Sequence, residues 1–345
     1  MPDNASVAPT VAVERPRDLG VDVARGVAVF SMFIAHFAPS AGPGDVLILS
    51  EYLTAPLFAL LIGWGAQLGH GRDREVWSIA VRATVLVLLG LALEQLETQI
   101  VIVLVWLGVL TVLCGLLVRT PTAAVLAVGA VSFALTPTLL DRSRDWLQER
   151  AVAGDPVTGL PLRLVELTVG GPDYRLTGLL PAACVGIVLA RHPGRLVRFG
   201  TLAVAAAGAV VLLGADASGR IDLVPYSGTH LTMLFELALV MMAAQLSRTL
   251  APALGGFGRL LGAVGGMTLS IYVAQVLVDA WYLVDRPPGF RDDSWLLIIG
   301  QCAGAVALAV TWPRAIHRNP WSKGPLEGLE RLFVRSRRLL DRRSP

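Results

Sequence analysis

Long apolar stretches alternate with short polar segments along the whole chain. Runs of the length that a bilayer requires recur about ten times. Gly and Pro interrupt several of these runs, which packed neighbouring helices tolerate. We therefore predict an all-α polytopic membrane protein, a bundle of about ten transmembrane helices, with spans at residues 20–38, 52–70, 77–95, 99–118, 121–140, 175–190, 197–214, 228–247, 260–283 and 294–312.

Polar segments precede, interrupt and follow the predicted bundle of residues 18–312. Residues 1–17 lead into the first apolar run without a small-residue cleavage site, which predicts a flexible N-terminus before an uncleaved span. Segment 141–174 carries both signs of charge and is predicted to be an external loop. Residues 313–345 alternate leucine with arginine, which predicts an amphipathic tail lying on an anionic membrane surface.

Composition agrees with this interpretation and narrows the function classes. Of the 345 residues, 54% are hydrophobic and 16% are charged, with a mean hydropathy of +0.63. Soluble domains carry about 25% charged residues, so a soluble domain is excluded. The three cysteines show no CxxC spacing, and neither a disulfide framework nor a metal site is predicted.

The basic and acidic residues occupy different connections between the predicted spans. The even-numbered connections and the tail are basic, whereas the short intervening connections carry mainly Asp and Glu. Because cytoplasmic loops are enriched in Lys and Arg, both termini are predicted to be cytoplasmic, in a cell membrane. The basic tail has no interleaved aromatic platform, so we expect it to contact membrane lipids and not nucleic acid. The oligomeric state is left open between monomer and homodimer.

Few strongly polar residues fall inside the predicted spans, where a charge costs about 2.5–3.5 kcal/mol on insertion scales. They are the candidates for function: Asp22, Arg25, His36, Arg82, His230, Glu236, Gln275 and Asp279. Eleven helical steps separate Arg25 from His36, so the two share one helix face about 16 Å apart along the axis. The simpler alternative is an ion pair of Asp22 with Arg25, and a His36 that hydrogen-bonds a neighbour.

The predicted topology places these residues at different depths. Arg25 and Arg82 face the inner half of the bundle, where they could receive an anionic cytosolic ligand such as a phosphate group. His230 lies at a depth comparable to that of His36, so the two could share a cavity. Glu236, near the bilayer middle, is either paired, protonated or part of a proton path. Asp279 is either solvated at the outer end of its span or functional.

The residues Asp22-x-x-Arg25-Gly26 followed by His36 resemble the first span of the transmembrane acyltransferase superfamily. That superfamily includes the acyltransferase-3 proteins, heparan-α-glucosaminide N-acetyltransferase and the YeiB-type bacterial membrane proteins of unassigned function. Residues 55–63 resemble its second span, and Arg82 falls where its third-span arginine would. Further blocks over most of the chain resemble actinobacterial YeiB-type members, at residues 225–229, 266–274 and 324–327.

The resemblance implies a membrane acyltransferase that moves an acyl group, in particular acetyl, from cytosolic acyl-CoA to a saccharide or glycolipid acceptor on the outer side. It makes His36 the general base or acyl acceptor and Arg25 a contact of the acyl-CoA. Together with the polar residues above, this gives three groups of candidate site residues. The candidate catalytic residues are His36, His230 and Glu236, and the candidate contacts of the acyl donor are Arg25, Arg82 and Asp22. The candidate contacts of the acceptor substrate are Gln275, Asp279 and Tyr272.

One position departs from the family pattern. Gln275 stands where such proteins often carry a histidine, and a glutamine cannot exchange a proton at neutral pH. Two rival functions therefore stay open beside the enzyme. A proton-coupled transporter or flippase would use His36, His230, Glu236 and Asp279 as a relay beside a lipid or saccharide path. An inactive membrane scaffold would use none of them.

Overall fold

The computed structural model of the chain describes residues 18–71, 75–287, 289–317 and 319–341, with side chains as far as Val334. The predicted segment 1–17 and residues 342–345 of the predicted tail lie outside the described residues. Regular secondary structure in the described ranges is helical, with thirteen α-helices: α1 (Leu19–Phe37), α2 (Leu49–Gly69), α3 (Glu75–Leu93), α4 (Leu104–Leu117), α5 (Thr122–Val152), α6 (Gly159–Val165), α7 (Leu176–Arg191), α8 (Arg195–Ala217), α9 (His230–Leu250), α10 (Gly255–Gly265), α11 (Thr268–Leu283), α12 (Trp295–Ala315) and α13 (Pro325–Asp341).

The helices agree with a multi-pass membrane protein. Seven are long and apolar enough to cross a bilayer, namely α1, α2, α3, α5, α8, α9 and α12. α10 and α11 would form an eighth crossing if counted as one broken span, since they pass the same test together. α4 and α7 are apolar but only 14 and 16 residues long. The predicted all-α polytopic class is confirmed, whereas ten spans and cytoplasmic termini stay predictions.

Helix α1 runs through the middle of the bundle. We name the two ends of the bundle after residues of this helix. It begins at Leu19, where the Asp18 side chain caps it by accepting a hydrogen bond from the amide of Gly20 at 2.9 Å. We call the end of the bundle where α1 begins the Arg25 side. The opposite end, where α1 ends at Phe37, is the His36 side.

The bend between α10 and α11 lies beside α1 and shapes the site. The two helices meet at an angle of 69°, across the residues Gly266 and Met267. Glycines make the approach of α10 to α1 possible: a Cβ on Gly265 would lie 1.9 Å from the carbonyl oxygen of Asp22. A Cβ on Gly26 would lie 2.3 Å from the carbonyl oxygen of Leu261. This backbone contact holds the start of α11 against the Arg25 side of α1.

The segment predicted as an external loop is mainly helical. α5 continues through Leu140 to Val152, and α6 and a π-helical turn at Glu166–Gly170 follow. Residues 141–152 are polar but contain no Gly or Pro, so the apolar span ends while the helix continues. The fall in hydropathy after residue 140 therefore predicts the end of the apolar span, but α5 itself continues to Val152.

Candidate functional site

A cavity of about 220 Å³ opens at the Arg25 side, between six helices and the tail helix α13. Its charged lining consists of Arg25, Arg82 and Arg331 together with Glu327 and Glu330. The structure thus brings together the two arginines that the sequence singled out as donor-binding. Deeper in, the lining is mainly apolar, with Phe58, Leu61, Leu86, Leu104 and Leu107.

Arg25 both forms an ion pair with Asp22 and lines the cavity. Nη1 of Arg25 lies 2.9 Å from Oδ1 of Asp22, one turn earlier on α1. Asp22 is buried, whereas the Arg25 side chain is 24% exposed and reaches the cavity. Asp22 therefore orients the guanidinium, and part of the Arg25 side chain is exposed at the cavity. Arg82 of α3 makes neither a hydrogen bond nor an ion pair within the described ranges, so its charge is available to a ligand.

The tail helix closes one wall of this cavity through Glu327. The carboxylate of Glu327 accepts hydrogen bonds from the amides of Leu269 and Ser270 at 2.9 and 3.1 Å, and from the Ser270 hydroxyl. These amides belong to the first turn of α11, which has no partner for them within the helix. Burial raises the pKa of the Glu327 carboxyl, while the accepted hydrogen bonds act in the opposite direction.

His36 lies at the other end of α1, next to Gln275. Nε2 of Gln275 lies 2.7 Å from Nδ1 of His36. Because an amide carries both a donor and an acceptor, Gln275 can pair with either tautomer of the imidazole by turning its amide over. Gln275 is thus in direct contact with the predicted catalytic residue.

Gln99, in the connection between α3 and α4, ties this region together. Its side-chain amide donates to the carbonyl oxygen of His36 at 3.0 Å, and its backbone amide donates to Oδ2 of Asp279 at 2.9 Å. Its Oε1 accepts from the backbone amide of Asp292 at 3.0 Å. Sequence reasoning missed Gln99. The sequence feature that could have identified it is a long, uncharged polar side chain at the edge of a predicted span.

A polar stripe on α11 connects the cavity with His36. Tyr272, Gln275 and Asp279 follow one another at intervals of three and four residues, so they share one helix face over about 10 Å. All three are nearly fully buried. Tyr272 lines the cavity and accepts a hydrogen bond from the backbone amide of Val103 at 3.3 Å. The three residues predicted to bind substrate are therefore neighbours along one path.

The other two predicted catalytic residues lie elsewhere. His230 begins α9, with Nε2 3.1 Å from the carbonyl oxygen of Ala134 and its ring 5.3 Å from that of Phe133. Glu236, two turns further along α9, lines a separate small cavity of about 30 Å³. Neither side chain hydrogen-bonds to His36 in the described part of the chain. His36 contacts α11 and His230 contacts α5, and the suggestion that the two could share a cavity stays a prediction.

The small cavity around Glu236 contains a buried arginine that the sequence did not single out. Glu51, Asp173 and Arg175 line it with Glu236. Arg175 is 4% exposed and donates to the carbonyl oxygen of Tyr226, while its Nη1 has no partner among the described residues. Burial raises the pKa of the Asp173 carboxyl.

Comparisons with protein-family models, with curated proteins and with solved structures give no match for the chain. Among the residues that the structure describes, no group of three or more His, Cys, Asp and Glu side chains is placed to hold a metal ion. The site is therefore interpreted from its own geometry.

Proposed function

We propose that the chain is an acyl-CoA-dependent acyltransferase of the cell membrane. It would take an acyl group, in particular acetyl, from CoA at the Arg25 side and transfer it to a saccharide or glycolipid acceptor at the His36 side. One observation carries the proposal: α11 places Tyr272 in the wall of the arginine-lined cavity and, one turn further along, Gln275 in contact with the His36 imidazole.

The donor end of the site suits a phosphorylated ligand with a thin arm. Arg25 and Arg82 present guanidinium groups, which match phosphate oxygens with paired hydrogen bonds. The apolar walls further in suit the pantetheine arm of CoA, which carries the thioester at its end. Arg25 and His36 are about 16 Å apart along α1, a distance comparable to the length of that extended arm.

The chemical step would use His36 as a base. The imidazole takes the proton from an acceptor hydroxyl or amine as the oxygen or nitrogen attacks the thioester carbonyl carbon. The new C–O or C–N bond forms, the C–S bond breaks, and the CoA thiolate takes the proton back from the imidazolium. In a two-step variant, an imidazole nitrogen of His36 attacks the thioester carbonyl carbon, the C–S bond breaks and the CoA thiolate leaves; the acceptor then attacks the acyl group, the N–acyl bond breaks, and the acceptor's proton passes to the thiolate. Gln275 fixes the ring in either case.

The distribution of basic residues supports a direction of acyl transfer from the cytosol to the outer side. The basic connections and the basic tail lie at the Arg25 side, and we propose that this side is cytoplasmic. Acyl-CoA would then enter from the cytosol beneath α13, while the acceptor would meet His36 near the outer leaflet.

A proton-coupled transporter or flippase is the second candidate, and one observation favours it. Glu236 lies within a membrane-spanning helix and lines a cavity with the buried Arg175. Buried ionisable pairs of this kind occur in proton paths. His36 and Asp279 would belong to the same path only if the bundle rearranged, because His36 contacts Gln275 of α11 and Asp279 contacts Gln99 in the connection between α3 and α4.

The deciding experiment measures free CoA released from acetyl-CoA by the purified protein in nanodiscs, with and without an envelope extract. The acyltransferase predicts extract-dependent release that His36→Ala abolishes. The matched control is His192→Ala, which removes an exposed histidine after α7 and should leave the rate unchanged. Absence of both acetyl-CoA binding and release would refute the enzyme, and proton-coupled uptake in proteoliposomes would then distinguish the transporter from a scaffold.

A further inference from the structure

A groove of about 360 Å³ runs along the outside of the bundle between α11 and α12. Most of its lining is apolar, with Phe33, Ile271, Val278 and Leu296. Val278 and Leu296 are 48% and 78% exposed, so the groove opens on the surface that these helices present to the bilayer. Its natural occupant is accordingly a molecule dissolved in the membrane.

Two glutamines interrupt this apolar lining. Gln275 reaches the groove from α11, and its Oε1 is buried without a hydrogen-bond partner among the described residues. Gln301 reaches it from α12 and makes no hydrogen bond within the described ranges. Whichever way the Gln275 amide is turned, one of its two polar atoms pairs with His36 and the other is left unpaired, which is unfavourable, and a plain hydrocarbon chain cannot supply the missing partner. The occupant must therefore carry a hydroxyl or amino group as well as a chain.

The α12 wall is open because of two glycines one turn apart. A Cβ built on Gly300 or on Gly304 meets no atom within 4 Å, so neither glycine is needed for close packing inside the protein. Both line the groove. Glycine lowers helix stability, and at these two positions its effect is to leave room between α11 and α12.

The polar end of the groove coincides with the reaction centre. One polar atom of the Gln275 amide contacts Nδ1 of His36, and the other has no partner in the described structure. With Oε1 turned to accept from Nδ1–H, the second imidazole nitrogen is free to act as the base, and a hydroxyl or amine that accepts from the Gln275 amide would stand beside that imidazole.

We propose that this groove binds the acyl acceptor, a membrane lipid whose hydrocarbon chain lies between α11 and α12 and whose hydroxyl-bearing or amino-bearing head group reaches Gln275 and Gln301. This inference rests on the proposed acyltransferase function and restricts its acceptor to a lipid-anchored molecule. The acceptor enters sideways from the bilayer, whereas acyl-CoA enters at the Arg25 side.

The test uses two lipids that each carry a diazirine in one chain: a glucosyl diacylglycerol, which has free hydroxyls, and a phosphatidylcholine, which has none. Each is photolysed with the full-length protein in nanodiscs, and the adducts are located by mass spectrometry. We expect the glucosyl lipid to label residues 271–278 and 296–308 at least tenfold more than the phosphatidylcholine does. Equal labelling by both lipids would mean ordinary surrounding lipid and would overturn the proposal.

Variants of α12 supply the second arm. Gly304→Leu fills the groove without a backbone clash and should reduce labelling at least tenfold. Gly208→Leu places the same side chain on α8, where the built Cβ also meets nothing within 4 Å, and should leave labelling unchanged. If the wild-type protein is a dimer that Gly304→Leu converts to monomers, a second copy occupies the groove and the lipid proposal is wrong.

Measurements of acetyl-CoA binding and acyl transfer distinguish a failure of the groove proposal from a failure of the acyltransferase proposal. If both are correct, Gly304→Leu binds acetyl-CoA as the wild type does but transfers its acyl group at least tenfold more slowly. If the wild type binds acetyl-CoA and Gly304→Leu retains full transfer, the groove proposal fails and the enzyme stands. If the wild type neither binds nor cleaves acetyl-CoA, the enzyme fails, and hydroxyl-dependent labelling still reports whether the groove is a lipid site.

Discussion

Nε2 of Gln275 and Nδ1 of His36 lie 2.7 Å apart, although 239 positions separate the two residues in the chain. The contact joins α11 to the end of α1 inside the bundle. A glutamine amide cannot exchange a proton at neutral pH, but it can hold in place an imidazole that does. Substitutions of Gln275 should therefore act on the chemical step.

Gln275→Leu removes the partner of His36 and leaves Nδ1 unpaired. An unsatisfied buried group costs about 1–3 kcal/mol. Because about 1.4 kcal/mol corresponds to a factor of ten in rate, we expect kcat for CoA release to fall about tenfold to a hundredfold. KM for acetyl-CoA should stay unchanged, since the arginine-lined cavity is untouched. Gln275→His, which can still hydrogen-bond to the ring, is the control, and an equal loss in both variants would argue against a positioning role.

Arg25→Lys tests the phosphate contact at the Arg25 side. The lysine keeps the charge but loses the planar pair of donors and the geometry of the ion pair with Asp22. We expect the Kd for acetyl-CoA, measured by titration calorimetry, to rise about tenfold, which corresponds to about 1.4 kcal/mol. Arg220→Lys, at an exposed arginine between α8 and α9, is the matched control. Identical affinities in the two variants would place the ligand elsewhere.

The parts of this site that could be predicted are the local ones. The ion pair of Asp22 with Arg25 follows from a spacing of three residues on one helix. The contacts of Gln99 with His36 and of Glu327 with Ser270 bridge 63 and 57 positions. Such contacts depend on how the helices pack. Equal depth in the membrane suggested that His230 and His36 would meet, but depth does not fix which helices are neighbours.

Glu327→Gln should loosen the tail helix. The substitution weakens the hydrogen bonds to the first turn of α11, which act as a helix cap contributed by another segment. Loss of a cap costs about 0.5–2 kcal/mol. We expect faster tryptic cleavage after Arg331, followed by mass spectrometry of the protein in detergent. Glu330→Gln, one turn along α13, makes no such contact with α11 in the described structure and should be cleaved like the wild type.

Gly265→Ala tests the backbone contact that sets the α10–α11 bend beside Arg25. The added methyl group would lie 1.9 Å from the carbonyl oxygen of Asp22, so α1 and α10 must separate. Overpacking of this kind costs about 1–3 kcal/mol, and the midpoint of thermal unfolding in detergent should fall. Gly256→Ala introduces the same methyl group on α10 in open space and should not lower the midpoint. A stable Gly265→Ala protein would mean that the two helices can move apart without cost.

The two ends of α8 test the proposed orientation. His192 is exposed before α8 on the Arg25 side, and Ser218 is exposed after it on the His36 side. Single cysteines at these positions can be treated with a membrane-impermeant maleimide on intact cells. Because positive charge concentrates on the Arg25 side, Ser218→Cys should react at once, and His192→Cys only after the cells are permeabilised. The wild-type protein, whose Cys114 and Cys184 are buried and whose Cys302 is half-buried, gives the background. The reverse pattern would place the arginine-lined cavity outside the cell, away from any cytosolic acyl-CoA, and would refute the proposed direction of transfer.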